Sequence, residues 1–478
     1  MTKIASVLLI MRKITFLLFI AGLFSLSVAY AQNKKNNRDT SRVSAPVVVP
    51  DTSRANLLIP VTVKDSGKNG GVQYLTLQQC IEYAMHNQPG LNIAIINIDV
   101  AKTTNAINLA GALPQVSASG DLTHFIAQNN GGQQGKGYAN TFTPGVAVSQ
   151  AIFNPALLYA HRAAPLYVKQ AQQATDSTRI FLVTSVSKSF YNLLLNLEQI
   201  NVLKEDTARL GKSVRDAYHQ YKGGIVDETD YDEAQITLNN SMAQLKQANE
   251  NVIPQYAALK KLMGFPSERQ FNIVFDTLQM MKGIHIDTTV QLQYEKRIEL
   301  QSLETTKALQ GELINYYGYS FLPTASAFFN YNRTFQNNNY NNLLTSSYPT
   351  STIGLSVSIP IFTGFARLNN LHKAKLQGQI LDWNEKDLKF TIYAEYTTAL
   401  ANYKGNYYNL QLLQRNVALA KRTYFVVDLQ YKQGIVPYLN VITAESNLIT
   451  SEISYLNALF QVLSNKIDLE KAMGSVSY

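Results

Sequence analysis

The sequence contains little of several residue types on which common classes of protein depend. Only one of the 478 residues is a cysteine, Cys80. A single cysteine cannot form an internal disulfide, and it excludes a zinc site built from several thiolates. Cys80 lies early in a helical pattern, where we expect a small buried apolar residue. The net charge is +9, but no block rich in Lys and Arg occurs, so no nucleic acid is predicted as a partner.

Motifs for catalysis, cofactors and metals are also lacking. The six histidines form no pair at i, i+4 and no HExxH, and there is neither a GxSxG motif nor a phosphate-binding glycine loop. The stretch DETDYDEA at residues 227–234 lacks the glycine of a calcium loop and indicates a solvated helix start instead. The sequence therefore predicts a protein that is not an enzyme, with no catalytic residue, no cofactor and no metal.

The N-terminal residues predict export. Arg12 and Lys13 precede an apolar run at residues 14–28, and a small-x-small cleavage pattern ends at residue 31. We expect residues 1–31 to be a signal peptide and residues 32–72, which show no helical period, to be a flexible leader. No later apolar run is long enough to cross a bilayer as a helix, so any membrane segment is expected to consist of strands.

The remainder of the chain repeats itself. Four phrases recur in the same order about 210 residues apart: LPQVSAS and LPTASAF, VSQAIFNP and VSIPIFTG, YKGGIV and YKQGIV, LKKLMG and LEKAMG. The pattern predicts a tandem duplication, with a first repeat at residues 73–264, a linker at residues 265–290 and a second repeat at residues 291–474.

Each repeat contains a stretch in which apolar and small or polar residues alternate without any charge, at residues 141–153 and 352–361. This length and period are typical of transmembrane β-strands, although a strand of a soluble sandwich shares the period. A partner strand precedes each stretch, at residues 113–126 and 322–331, which gives four strands per chain. The residues predicted to face lipid are Val146, Val148, Ile152, Leu355, Val357 and Ile359.

The other segments have helical periodicity. Apolar residues from Leu413 to Tyr431 recur at alternating spacings of four and three, which is a coiled-coil pattern. The positions 210 residues earlier, from Leu203 to Tyr221, repeat it with one polar break, and apolar residues from Ile449 to Ile467 keep the same spacing. A continuous helix over residues 156–222 would be on the order of 100 Å long, unless Pro165 kinks it or marks its beginning. Gly224 and Gly434 then supply a C-cap and a tight turn before a returning helix. Each repeat is therefore expected to form one helical hairpin with a tip at the YKxG phrase.

The number of strands limits the possible assemblies. Four strands cannot close a barrel, and open sheet edges cannot lie in lipid. Two chains would give eight strands, whose interior is filled by side chains, and three chains would give twelve strands around a passage. The pattern therefore predicts a homotrimer in contact with membrane lipid.

The order of these elements and their anchor phrases, above all SIPIFTGFARLNNLHKAK at residues 358–375, resemble the TolC-like outer-membrane efflux proteins. The resemblance implies a mixed α and β fold, in which a transmembrane β-barrel shared between protomers continues into a long antiparallel α-helical coiled-coil tunnel. It implies an outer-membrane channel of a tripartite efflux or type I secretion system, with a periplasmic helical domain. Its partners would be a periplasmic adaptor, an inner-membrane transporter and outer-membrane lipid.

The resemblance also assigns roles to the tips. The residues implied in the periplasmic tip and adaptor contact are Tyr221, Gly224, Ile225, Val226, Asp230, Tyr431, Gly434, Ile435 and Val436. The implied candidates for the entrance gate are Asp230, Asn440 and Thr443. Known relatives carry acidic residues soon after the second tip glycine, whereas the matching Asn440 and Thr443 are uncharged.

An exported enzyme stays an open alternative, disfavoured by the missing catalytic motifs. The other open alternative is an exported coiled-coil scaffold without a pore. It explains the helices but gives no role to strands patterned for lipid. Fractionation separates the channel from both alternatives, because a channel pellets with outer membranes whereas a scaffold or an enzyme is soluble.

Overall fold

The computed structural model describes residues 73–126, 138–274, 284–286 and 291–477. The predicted signal peptide and nearly all of the predicted leader lie outside these residues, as does part of the predicted linker. The helices are α1 (Leu77–Asn87), α2 (Pro89–Ala110), α3 (Pro155–Lys222), α4 (Glu228–Met263), α5 (Ile298–Tyr319), α6 (Ala366–Lys432) and α7 (Tyr438–Met473). The strands are β1 (Gln73–Leu75), β2 (Gln115–His124), β3 (Asn140–Phe153), β4 (Phe271–Ile273), β5 (Thr324–Asn337) and β6 (Ser347–Ser358).

Four strands form an antiparallel sheet in the order β2-β3-β5-β6. The sequence analysis predicted the hairpins β2–β3 and β5–β6 within the repeats, and β3 and β5 join the two hairpins. Because directly opposed residues of paired strands share a face, the register gives the orientation of every side chain. Val148 lies opposite Val116 and Phe329, and Phe329 lies opposite Ile353. The sheet therefore has a continuous apolar row across all four strands.

The strand register shows which of the residues predicted to face lipid lie on the same face of the sheet. Val146 and Val148 lie on one face with Leu355 and Val357, because the partners of both pairs lie on the same face of β5. The opposite face carries chiefly small and polar residues, as in the directly opposed pairs of Ser117 with Ala147 and of Ser326 with Ser356. Phe328, opposite Ser149 and Gly354, is a large aromatic residue on that face. That the four apolar residues lie on one face agrees with the predicted alternation.

Two residues of the predicted row do not keep its regular position. The register shifts between Ala151 and Phe153, which makes Ile152 the extra residue of a β-bulge and gives Phe153 the pairing position opposite Ala325. Ile359 lies outside the sheet, since β6 ends at Ser358. Pro360 has no N–H to donate to a strand ladder, which explains why the strand stops before it.

A compact core forms where α1, α3, α4 and the short strands meet. Cys80 is fully buried there with Phe190, Leu193 and Met263, which confirms its expected role as a small core residue. Burial raises the pKa of its thiol to about 12, so it is unreactive in the folded protein. β4 pairs in parallel with β1 and buries Phe271, so part of the predicted linker is an ordered element of this core.

Each half of the chain contains one very long helix. The α3 helix has 68 residues, which is about 102 Å at 1.5 Å per residue. It begins after Asn154, whose side chain caps Ala156, and it continues through Pro165, so the proline does not mark its start. The other helix of this hairpin, α4, has 36 residues. In the second half, α6 has 67 residues and α7 has 36 residues.

The predicted coiled-coil seam is observed on α3, where Leu203, Leu210 and Ala217 are buried. On α7, Leu463 and Ile467 of the row inferred from the sequence are buried, whereas nearer the tip the buried residues, among them Val441 and Leu448, lie beside that row. The reason is that α7 packs against α3 as well as α6, which turns a different stripe inward.

One helix in the described part of the chain, α3, is long and apolar enough to pass a test for membrane crossing by length and composition. The sequence analysis did not identify such a run. Half of the most apolar stretch of α3 is buried inside the protein. Core helices of soluble proteins can have the same length and composition.

Candidate entrance and docking surface at the helical tips

Two similar turns connect the helices of each hairpin, and they are called here the first tip (residues 221–230) and the second tip (residues 431–440). Gly224 has φ 69° and Gly434 has φ 72°, in the left-handed region where residues with a Cβ are strained. The N–H of Ile225 donates to the carbonyl of Gln220 at 2.9 Å, and Ile435 repeats this bond to Gln430 at 2.9 Å. These are Schellman caps, which satisfy the last carbonyls of α3 and α6.

Each tip presents an isoleucine to solvent. Ile225 is 75% exposed and Ile435 is 69% exposed, whereas the neighbouring Val226 and Val436 are half-buried. The sequence analysis grouped the four residues as one apolar contact. In the single chain the two isoleucines, with Leu439, are exposed apolar side chains of the tips, while the two valines are partly covered.

Aromatic residues join the two tips underneath these turns. The hydroxyl of Tyr431 donates to Oε1 of Gln220 at 2.6 Å, which links α6 to α3. Its ring lies 5.3 Å from that of Tyr438, which is buried with Ala217 and Ala234. The pKa of Tyr431 is raised to about 12, first by burial and then by the negative charges of Asp230 and Asp216. Of the predicted tip residues, Tyr431 therefore holds the hairpins together, and Tyr221 is half-buried at the equivalent position.

The three gate candidates have different surroundings. Asp230 is half-buried in the first turn of α4, close enough to Tyr431 to affect its titration. Asn440 and Thr443 are exposed in the first turns of α7. The hydroxyl of Thr443 donates to the carbonyl of Leu439 at 2.8 Å within its own helix. In the single chain the side chains of both second-tip candidates are therefore exposed to solvent.

The first tip carries acidic residues at a helix start, as the sequence indicated. Asp227 is the N-cap of α4 by its backbone conformation, with Glu228 and Asp230 in the first turn. Negative side chains there are stabilised by the helix dipole. Among the described residues, no group of three or more His, Cys, Asp or Glu side chains could hold a metal ion.

Sequence reasoning missed a charged cluster above the tips, in which Asp206, Ser241 and Glu445 are buried and Arg209 is half-buried. The hydroxyl of Ser241 donates to Asp206 at 2.6 Å, and Arg209 lies 3.4 Å from Asp206 and 3.4 Å from Glu445. Burial raises the pKa of Glu445 to about 7, and the charge of Asp206 adds to the shift while Arg209 opposes it. The cluster connects α3, α4 and α7, and therefore both hairpins.

A signal for this cluster was present in the sequence. Tyr438, Val441, Glu445 and Leu448 recur at spacings of three, four and three, and all four are buried. A glutamate in such a row is a charged residue at a seam position. The row inferred from the sequence is the adjacent one, which contains Ile449. Choosing the row of Tyr438 and Leu448 instead would have identified Glu445.

A family model described as "Outer membrane efflux protein" matches residues 80–265 and 297–475. The chain belongs to this family. Efflux across the outer membrane is therefore its function, which rejects the alternative of an exported scaffold without a pore. The predicted TolC-like relationship and the outer-membrane location are confirmed by the same match and by the relatives below.

Relatives in the outer membrane efflux family cover most of the chain. It is 22% identical over 413 residues to "Probable efflux pump outer membrane protein TtgC" of Pseudomonas putida, covering 84% of this chain and 83% of that protein. It is 18% identical over 406 residues to "Outer membrane protein TolC" of Vibrio cholerae, covering 84% and 91%.

A solved structure shows the same fold. The outer membrane channel CmeC of Campylobacter jejuni superposes with a TM-score of 0.71 at 21% identity, covering 92% of this chain and 94% of that one. The mixed helical and β architecture is thus that of a TolC-like channel.

Proposed function

We propose that three copies of this chain form one continuous conduit from the periplasm through the outer membrane. The observation that carries this proposal is the four-stranded sheet, open at β2 and β6, from which helices of about 100 Å extend. In lipid, the unpaired edges of β2 and β6 must be paired, and pairing them between neighbouring chains closes a barrel. Twelve strands from three chains leave room for a passage, whereas eight from two chains do not.

The chemistry of the two sheet faces sets the direction of the barrel. The row of Val116, Val148, Phe329 and Ile353 lies toward the hydrocarbon, as do Leu355 and Val357. The opposite face, rich in Ser, Thr and Asn, lines the water-filled lumen. A lumen of this kind passes cargo without strong selection by charge.

The repeated organisation of the chain follows from this assembly. In our proposal residues 73–264 and 291–474 are products of a tandem duplication, each supplying one β-hairpin and one helical hairpin. Residues 1–31 are removed on export, and residues 32–72 precede the first repeat as a leader. Three chains then place six similar helical hairpins around one axis.

The tips form the periplasmic entrance and receive the adaptor. Ile225 and Ile435 are large apolar side chains exposed at the far end of the helices, where a complementary helical tip of an adaptor can bury them. An inner-membrane transporter delivers cargo to this entrance and determines what is carried. No chemical step by the channel itself is required.

Asp230, Asn440 and Thr443 restrict the resting entrance. In the trimer the uncharged Asn440 and Thr443 form hydrogen bonds between neighbours near the axis, rather than a ring that attracts cations. Asp230, beside Tyr431, adds negative charge at the first tip.

The test is the single-channel conductance of purified trimers in planar bilayers. The unmodified trimer is expected to conduct weakly, and the Asn440→Ala, Thr443→Ala double variant is expected to conduct more. The exposed Asn239→Ala on α4 is a control that removes an amide away from the tips. Correctly assembled double-variant trimers with unchanged conductance would remove both residues from the gate.

A further inference from the structure

The buried cluster above the tips contains one carboxylate more than its geometry can neutralise. Glu445 is 1% exposed, and within the described residues its Oε2 atom has no hydrogen-bond partner. Its Oε1 atom reaches Arg209 at 3.4 Å, a guanidinium that also serves Asp206. Asp206 has a further partner in the hydroxyl of Ser241. Glu445 is thus the less satisfied of two buried carboxylates that share one cation.

Within the described part of the chain, the groups that act on Glu445 include two carboxylates, Asp206 and Asp428, against the one guanidinium of Arg209. The titratable or charged groups around Glu445 are Asp206 and Arg209 on α3, Tyr424 and Asp428 on α6, and Tyr438 on α7 itself, and Ser241 on α4 completes the cluster. On α6, Lys421 pairs with Glu452 at 3.0 Å and Lys432 pairs with Asp428 at 2.5 Å, so both cations serve other carboxylates. A buried carboxylate oxygen without a partner is costly when the group is ionised, and a proton removes most of that cost.

We propose that Glu445 is a proton-dependent latch between the two helical hairpins of each protomer, closed when the carboxyl group is protonated and weakened when it is ionised. The neutral acid fits between α3 and α7, because protonation removes the buried negative charge at Glu445 and leaves Arg209 to pair with Asp206. Ionisation leaves two carboxylates facing Arg209, so the contact between α7 and α3 loosens. Since Glu445 lies only two turns above the second tip, loosening reaches the tips.

The direction of the pH effect follows from burial. Because the pKa of Glu445 is raised from 4.5 to about 7 in the packed cluster, the packed state binds the proton more tightly than an opened, hydrated state. The stabilisation is fully present below about pH 4.5 and is lost as the pH rises to about 7. Acidic conditions therefore close the latch, and neutral conditions release it. Any effect on conductance rests on the proposed function of the tips, whereas the latch itself does not.

Hydrogen exchange on the detergent-solubilised trimer tests the latch without reference to transport. In the unmodified protein, the protection factors of α7 amides around Glu445, corrected for intrinsic exchange, are expected to fall at least tenfold between about pH 5 and about pH 7.5. In Glu445→Gln, which is neutral at every pH, the fall is expected to be less than threefold. Glu470→Gln is the matched control, since it removes a carboxylate from the same helix outside the cluster and should retain the full fall.

A spectroscopic titration keeps the test decisive if Glu445→Gln assembles poorly. Infrared difference spectra of the unmodified trimer are expected to show a buried carboxylic acid that loses its proton near neutral pH, and Glu470→Gln should retain that band. A flat protection profile in the unmodified protein, or an unchanged fall in Glu445→Gln, would overturn the proposal. If the pH-dependent fall in protection is absent while the conductance of the trimer is normal, the latch is wrong and the proposed function stands.

Discussion

Replacing Val148 by arginine tests the proposed orientation of the barrel strands. Val148 lies inside β3, directly opposite Val116 and Phe329, so a guanidinium there would enter the apolar row of the sheet. Arginine on the lipid side of a transmembrane strand costs about 2–4 kcal/mol near the bilayer centre. At 1.36 kcal/mol for each factor of ten, that corresponds to an approximately 30- to 900-fold loss in the ratio of folded to unfolded protein.

Ser149→Arg is the matched control, one residue further along the same strand. Ser149 belongs to the opposite face, opposite Gln115 and Phe328, where the arginine can reach lumen water. The assay compares the amounts of heat-resistant oligomer in outer-membrane fractions and the urea unfolding of each variant in lipid vesicles. We expect severe loss for Val148→Arg and near-normal assembly for Ser149→Arg. Equal losses from both variants would refute the orientation.

Further expected outcomes concern the tips and the core. Gly224→Pro or Gly434→Pro should abolish export while oligomers still form, since proline cannot adopt the positive φ of either glycine, and export assays with gel filtration check both. The Asn440→Ala, Thr443→Ala double variant should raise single-channel conductance, as measured in planar bilayers. Cys80 should resist maleimide until the protein unfolds, and Cys80→Ser should lower the free energy of unfolding by about 1–3 kcal/mol because it buries a hydroxyl; rapid labelling of the folded protein would contradict its burial.

The regular parts of the fold were predictable because they depend on local patterns. Alternation and the repeated phrases predicted both β-hairpins, and the positions of Gly224 and Gly434 predicted the tips. The stop of β6 before Pro360 could also have been predicted from the sequence, since proline lacks the donor that a strand requires. The gate assignment of Asn440 and Thr443 stays a prediction.

Features that depend on contacts between the repeats were not predictable in the same way. The bulge at Ile152 arises where β3 of the first repeat pairs with β5 of the second. The strand β4, in the predicted linker, is held by pairing with β1, at the start of the first repeat. The cluster at Glu445 exists because α7 packs on α3, and periodicity along one helix cannot tell which of two neighbouring stripes faces that partner.

The mass of the detergent-solubilised oligomer, measured by native mass spectrometry, tests most directly whether three open sheets close one barrel. The measurement should be made on protein extracted from outer membranes, so that the assembled form is sampled. We expect a single species of three times the protomer mass that persists on dilution. A stable monomer or dimer would contradict the shared twelve-stranded barrel, because neither supplies enough strands to close around a passage.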